Sequence, residues 1–156
     1  MPASTGTDPG LTRREEVSVS SAAMTSAPWG AAGVTGAVVA VGDLGLHLIS
    51  GSIFHLNALS GSLSLGVVAF LVVAAAGAAL SRRSGRAARW VRNNPWRFAV
   101  VPGIACAAIV FVLSVVLGGG VFSGIFSAFW HGAATYGLTG LAGTIGASRN
   151  HSNRRA

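Results

Sequence analysis

Hydrophobic and polar positions fall in long blocks along this chain. A polar, weakly hydrophobic stretch over residues 1–29 precedes an apolar block at 30–49. A short uncharged connector leads to a second apolar block at 63–80, and an arginine-rich segment separates it from further apolar blocks at 98–117 and 121–147. At 1.5 Å of rise per residue, about 20 residues cross a hydrocarbon core of ~30 Å. The pattern therefore predicts an all-α integral membrane protein with four transmembrane helices, arranged as two hairpins joined by a basic cytoplasmic loop. The transmembrane domain is expected over 30–147, between a disordered N-terminal tail (1–29) and a basic C-terminal tail (148–156).

Each block has its own punctuation. The first is atypical, because Asp43 and His47 lie in its second half. The connector 51–62 carries Ile53, Phe54, Leu56 and Leu59 and is expected to lie in the outer interface. The second block, nearly pure Val, Leu and Ala, is stopped by Arg82 and Arg83. Trp96 and Arg97 anchor the third at the headgroup level, with Pro102 in its first turns. Gly118–Gly120 makes a tight outer turn. The fourth block is longer than a crossing needs, which predicts tilt or extension beyond the bilayer. The layout resembles a two-plus-two repeat, with no residue-level similarity read between the halves.

Charge gives the orientation. The chain has no Lys, and Arg82, Arg83, Arg86, Arg89, Arg92 and Arg97 are concentrated between the second and third blocks. The two expected outer connectors, 50–62 and 118–120, contain no Arg. Basic residues near spans stay on the cytoplasmic side, so both termini are expected in the cytoplasm of a cell whose inner (plasma) membrane holds the protein. Arg82, Arg86, Arg89 and Asn93 recur at helical spacing, with Ala87, Trp90 and Val91 free to face the other way. This predicts a short interfacial helix, ended by Asn93-Asn94-Pro95 because Pro disfavours helix in the residue before it. The six arginines are expected to meet anionic headgroups.

Composition agrees with this class. Hydrophobic residues make up 51% of the 156 and charged ones 10%, against roughly 25% charge in a soluble domain. The 22 glycines suit membrane helices, where small residues let backbones approach closely. A net charge of +7 also fits nucleic acid, but arginines clustered at the ends of apolar blocks favour topology and lipid. The Arg-only, Ala/Gly/Val-rich composition is associated with GC-rich bacterial genomes. Arg13 and Arg14 are followed by Glu15 and Glu16, not by the apolar run of a signal peptide, and Met24 is an alternative start. The single cysteine, Cys106, excludes an internal disulfide and is expected to be an inert packing residue.

Candidate chemistry centres on Asp43, the one acid in the membrane region. Ionisable groups at such depth are costly and face protein or a cavity. His47, four residues on, shares its helix face. In the fourth block Ser123, Ser127, His131, Thr135 and Thr139 form a polar stripe at steps of four, drifting by about 40° per step. Beside it Gly124, Ala128, Gly132, Tyr136 and Gly140 offer a face for close helix contact. Asp43 and His131 fall at about the same depth, 4–5 Å outward of their helix centres, so the two are expected to approach one another and relay protons or line an ion path. The bland alternative is that the hydroxyls bond to their own backbone and the polar pair glues helices together.

Zinc ligation by Asp43, His47, His55 and His131 lacks a compact motif, so no metal is expected. His151 lies in the tail and carries no signal. No phosphate-cradling loop, HExxH or GxSxG occurs, and no cofactor or enzymatic activity is expected. The expected role is a non-enzymatic component of a membrane assembly, of the secretion, conjugal-transfer or lysis type. Such a component would act as a homo-oligomer or with a membrane-protein partner, and nucleic acid is not expected as a partner. A small proton- or ion-linked transporter or channel using Asp43 and His131 is the alternative.

Overall fold

The computed structural model describes residues 27–51, 56–80, 86–117 and 120–152, with isolated positions at 14, 15, 18, 22 and 25. Among the described residues the regular structure is entirely helical: α1 (Trp29–Ile49), α2 (Leu56–Leu80), α3 (Arg86–Asn93), α4 (Pro95–Val116) and α5 (Gly120–Ser152). Three stretches, Trp29–Ile49, Ala58–Leu80 and Pro95–Val116, are long and apolar enough to cross a membrane. The chain is a multi-pass membrane protein. Most of the N-terminal tail lies outside the described residues, and Arg14, Glu15, Ser18 and Ala22 within it have helical backbone.

Several boundaries differ from the sequence expectation. α2 begins at Leu56, so most of the expected outer connector is helix. Its serines stay compatible with helix because Ser62 Oγ lies 3.0 Å from the Ala58 carbonyl and Ser64 Oγ donates to the Ser60 carbonyl at 2.8 Å. α3 ends at Asn93 and α4 starts with Pro95 at its first position, where the missing N–H costs nothing. That earlier start puts Pro102 two turns inside α4 and not near its end. Glycine at positive φ marks two of the turns, Gly51 after α1 and Gly120 at the start of α5.

α5 is not among the three stretches apolar enough to cross by composition, because Gly, Ser, Thr and His recur along it, and its residues divide by face. Gly124, Gly132, Thr135, Thr139, Gly140 and Gly143 are buried, while Phe122, Phe126, Phe129 and Trp130 point outward, Phe122 being 90% exposed. The same inversion holds elsewhere. Val34, Val38, Val41, Ile104 and Val116 are exposed, whereas Ala32, Ala74, Ala75, Ala99, Ser62 and Ser114 are buried. A soluble protein does the opposite.

The helices pack in a defined order. Among the described residues α1 lies against α2 alone; α2 also lies against α4 and α5; α4 and α5 share the most extensive interface. α3 rests on α2, α4 and α5, and its Val91 and Trp90 join a cluster with Ala74, Ala75, Ala78 and Phe98.

Two helix crossings hold the pairs together, and they are copies of one another. A Cβ on Gly36 would sit 2.8 Å from the Gly66 carbonyl oxygen and 2.9 Å from Phe70 Cβ; one on Gly66 would sit 2.8 Å from Ala40 Cβ. At the α4–α5 crossing, a Cβ on Gly103 would sit 3.3 Å from the Gly132 carbonyl and 3.1 Å from Tyr136 Cβ; one on Gly132 would sit 2.9 Å from Ala107 Cβ. One constant shift carries Pro28, Trp29, Ala32, Gly36 and Ala40 onto Pro95, Trp96, Ala99, Gly103 and Ala107. A second carries Gly66, Phe70 and Gly77 onto Gly132, Tyr136 and Gly143. The contacts correspond as well. Trp29 stacks on Phe70 with ring centroids 5.7 Å apart, and Trp96 on Tyr136 at 5.5 Å. Gly77 abuts Pro28 as Gly143 abuts Pro95. The halves therefore correspond at these eight positions, a similarity hidden in the sequence because the shared positions are few and widely spaced.

Closeness at these crossings predicts a position-specific response to one methyl group. Gly66→Ala and Gly132→Ala should each lower stability by about 1–3 kcal/mol through overpacking against backbone. Gly33→Ala, where a Cβ meets nothing within 4 Å, should be neutral or slightly stabilising. Thermal unfolding in detergent micelles would distinguish them.

Candidate functional site

The strongest polar constellation in the described bundle surrounds Asp43. Packing of α1 on α2 brings its carboxylate to Ser62, with Ser62 Oγ 2.6 Å from Asp43 Oδ2. His47, one turn along α1, has Nε2 3.6 Å from the same oxygen. That is too long for a hydrogen bond but within ion-pair range when the ring is protonated. Ser62 is buried, while the Asp43 side chain keeps 25% of its exposure.

Ser62 also lies 3.0 Å from the Ala58 carbonyl oxygen, which gives the pair an unusual chemical capacity. With Asp43 ionised, the serine O–H donates to the carboxylate. With Asp43 protonated, the carboxyl O–H donates to Ser62 Oγ, and the serine proton turns to the Ala58 carbonyl. The Ser62 hydroxyl thus has two acceptors within reach, the Asp43 carboxylate and the Ala58 carbonyl.

The second half lacks this chemistry. The repeat shifts carry Asp43 onto Val110 and Ser62 onto Ala128, both buried. The same crossing is thus built with an apolar pair at the equivalent place. The fold does not require a carboxylate there.

Asp43 and His131 are not brought together. Among the described residues no Cα of α1 lies within 8 Å of one in α5. Depth along the axes says nothing of lateral order, and α2 is the helix that receives α1. His131 is instead bound to its own helix. Its Nδ1–H donates to the Ser127 carbonyl at 2.7 Å, a tautomer fixed because a carbonyl only accepts, and Ser127 Oγ lies 3.3 Å away. Cys106 Sγ and Thr135 Oγ1 point to the His131 carbonyl at 3.7 and 2.9 Å. The polar stripe winds around α5 as its spacing requires, from exposed Ser123 to buried Thr135 and Thr139. Thr139 Oγ1 is buried and has no hydrogen-bond partner among the described residues.

Gly124, Ala128, Gly132 and Gly140 are buried, and Tyr136 is exposed. Gly124 lies against Phe111 and Val115, Gly132 against Gly103 and Ala107, and Gly140 against the Trp96 ring. Of the arginines, Arg89 and Arg97 are exposed. Arg82 and Arg83 lie outside the described residues, as do His55 and the side chains of Arg86 and Arg92. Among the described residues no three His, Cys, Asp or Glu side chains converge. Ser62 was the residue missed by sequence reasoning. It was assigned to a connector, and only the helix start at Leu56 puts it opposite Asp43.

Compared with known proteins, the chain matches no family model, no curated protein and no solved structure.

Replacing one partner of the polar pair should cost more than replacing both. Ser62→Ala leaves the carboxylate without its donor and should lower stability by about 1–3 kcal/mol. Asp43→Val combined with Ser62→Ala reproduces the apolar pairing of the second half and should restore stability to at least the wild-type level. A double-mutant cycle by unfolding in mixed micelles reads the coupling; additive losses would contradict it.

Proposed function

We propose that the protein is a non-enzymatic, four-span module of a bacterial cell membrane, two helical hairpins joined by a basic cytoplasmic segment, that serves as an assembly component. The observation that carries this reading is the inverted side-chain distribution, with large apolar groups outside and Gly, Ala, Ser and Thr inside. α5 joins the spans in this reading because its polar groups are largely satisfied within the bundle. The His131 ring and the Thr135 and Thr144 hydroxyls bond back to their own helix, removing much of the cost of carrying them through hydrocarbon. Secretion, conjugal-transfer and lysis systems contain accessory proteins of this layout, an analogy of architecture alone. The exposed Arg89 and Arg97 fit a cytoplasmic face against anionic headgroups.

The Asp43–Ser62 pair supports a second reading, a proton- or ion-linked transporter. At the equivalent crossing positions of the second half stand Val110 and Ala128, so this polar pair distinguishes the first half. His131, held by its own helix, has no part in this version.

Two measurements test these readings. In a Cys106→Ala background, Ser50→Cys should react with an impermeant maleimide from outside intact cells, and Arg89→Cys only with a permeant one. The opposite pattern would refute the orientation. In liposomes, proton flux no greater than in protein-free vesicles is expected for the assembly component. Flux abolished by Asp43→Asn and kept by His131→Ala would establish the transporter reading in its place.

A further inference from the structure

The internal repeat shows where a partner belongs. In the second half, α4 is covered on two sides, by α5 and by α2. The contact with α2 forms a cluster in which Val67, Val68 and Leu71 meet Ala105, Cys106 and Val110. α1 is the repeat equivalent of α4, yet among the described residues α2 is the one helix that lies against it. The α1 positions matching Ala105, Cys106 and Val110 are Val38, Val39 and Asp43. Cys106 and Val110 are fully buried, whereas Val38 is 64% exposed and Val39 and Asp43 are only partly covered.

The complementary half of that contact is also free. α5 is the equivalent of α2, and its positions matching Val67, Val68 and Leu71 are Ala133, Ala134 and Gly137. Ala133 and Ala134 are exposed, and a Cβ on Gly137 would meet nothing within 4 Å. Among the described residues there is thus one complete contact between a second helix and the next first helix, and the two unmatched halves of the same contact. Asp43 gives an independent reason to expect cover, because a carboxylate at membrane depth is stable only when shielded from hydrocarbon.

We propose that a second copy of this chain occupies the bare face of α1, seating its Ala133, Ala134 and Gly137 beside Val38, Val39 and Asp43. The contact repeats between copies the α2–α4 contact that each copy makes within itself. Formed twice about a two-fold axis, it leaves neither end unmatched and closes a ring of four two-helix units, so the assembly stops at two chains. The Asp43–Ser62 pair then lies at the seam between copies. This inference rests on the membrane-spanning reading given above.

Cross-linking in native membranes tests it. In a Cys106→Ala background, differently tagged chains carrying Val38→Cys and Ala134→Cys are co-expressed and oxidised with copper phenanthroline. A disulfide joining the two tags is expected, with no homodimer from either variant expressed alone, because the contact pairs unlike faces. Val41→Cys with Phe122→Cys, on outward faces, should give no link. Wild-type protein in mild detergent should have the mass of two chains by light scattering, which needs no substitution. Self-linking of a single variant, or a monomeric mass together with no link, would overturn the proposal. Carbonate extraction of the same membranes separates this outcome from failure of the membrane reading: a chain that stays in the pellet without linking refutes the dimer alone, and a chain that is released refutes the spanning bundle.

Discussion

Everything in this fold depends on how closely two helix backbones approach at a pair of glycines. In hydrocarbon there is no hydrophobic gain from pressing leucines together, since lipid offers them the same surroundings. Association rests on van der Waals contact and on whatever polar bonds the helices make. Gly36 with Gly66, and Gly103 with Gly132, bring carbonyl oxygens to where a Cβ would otherwise stand. The flanking Ala40, Ala107, Phe70 and Tyr136 then fit around the crossing. The chain uses this solution twice, down to the Pro-Trp that starts each first helix and the late glycine that receives the proline.

The two copies then diverged in what they carry. In the second half the crossing is continued by Val110 and Ala128, and α4 is enclosed by α2 and α5. In the first half the corresponding residues are Asp43 and Ser62, and among the described residues no second helix encloses α1. A carboxylate in the half that packing leaves open, and a valine in the half that packing seals, is a division between chemistry and structure within one repeat. Ser62 supplies the carboxylate with a hydrogen-bond donor that also lies within reach of the Ala58 carbonyl. His131 shows the contrary case. Its position at mid-helix marks it as functional by type, yet its ring and its backbone carbonyl are both occupied by neighbours in its own bundle.

The linker also has a structural part. Val91 and Trp90 of α3 pack onto alanines of α2 and onto Phe98, so the basic segment is fastened to the ends of the helices and not merely strung between them. Asn94 breaks the helix, and Pro95 starts the next at the position where proline costs least. Arg89 is left exposed by the same turn of helix that buries Val91.

By itself the sequence determined what any local or compositional rule reaches. The apolar block lengths gave the membrane class and the helices, Asn93-Asn94-Pro95 gave the break between α3 and α4, and steps of four gave the winding of the polar stripe in α5. Tertiary structure decided the rest. Lateral neighbours are invisible to depth arithmetic, so the partner of Asp43 turned out to be Ser62 on the adjacent helix and not His131 on a distant one. The start of α2 was hidden because serines read as loop formers until their hydroxyls are seen bonding back to the helix. The internal repeat was hidden for a related reason. Its conserved content is a set of absences, glycines and alanines spaced to let backbones meet, and such positions acquire meaning only when the helix opposite them is in place.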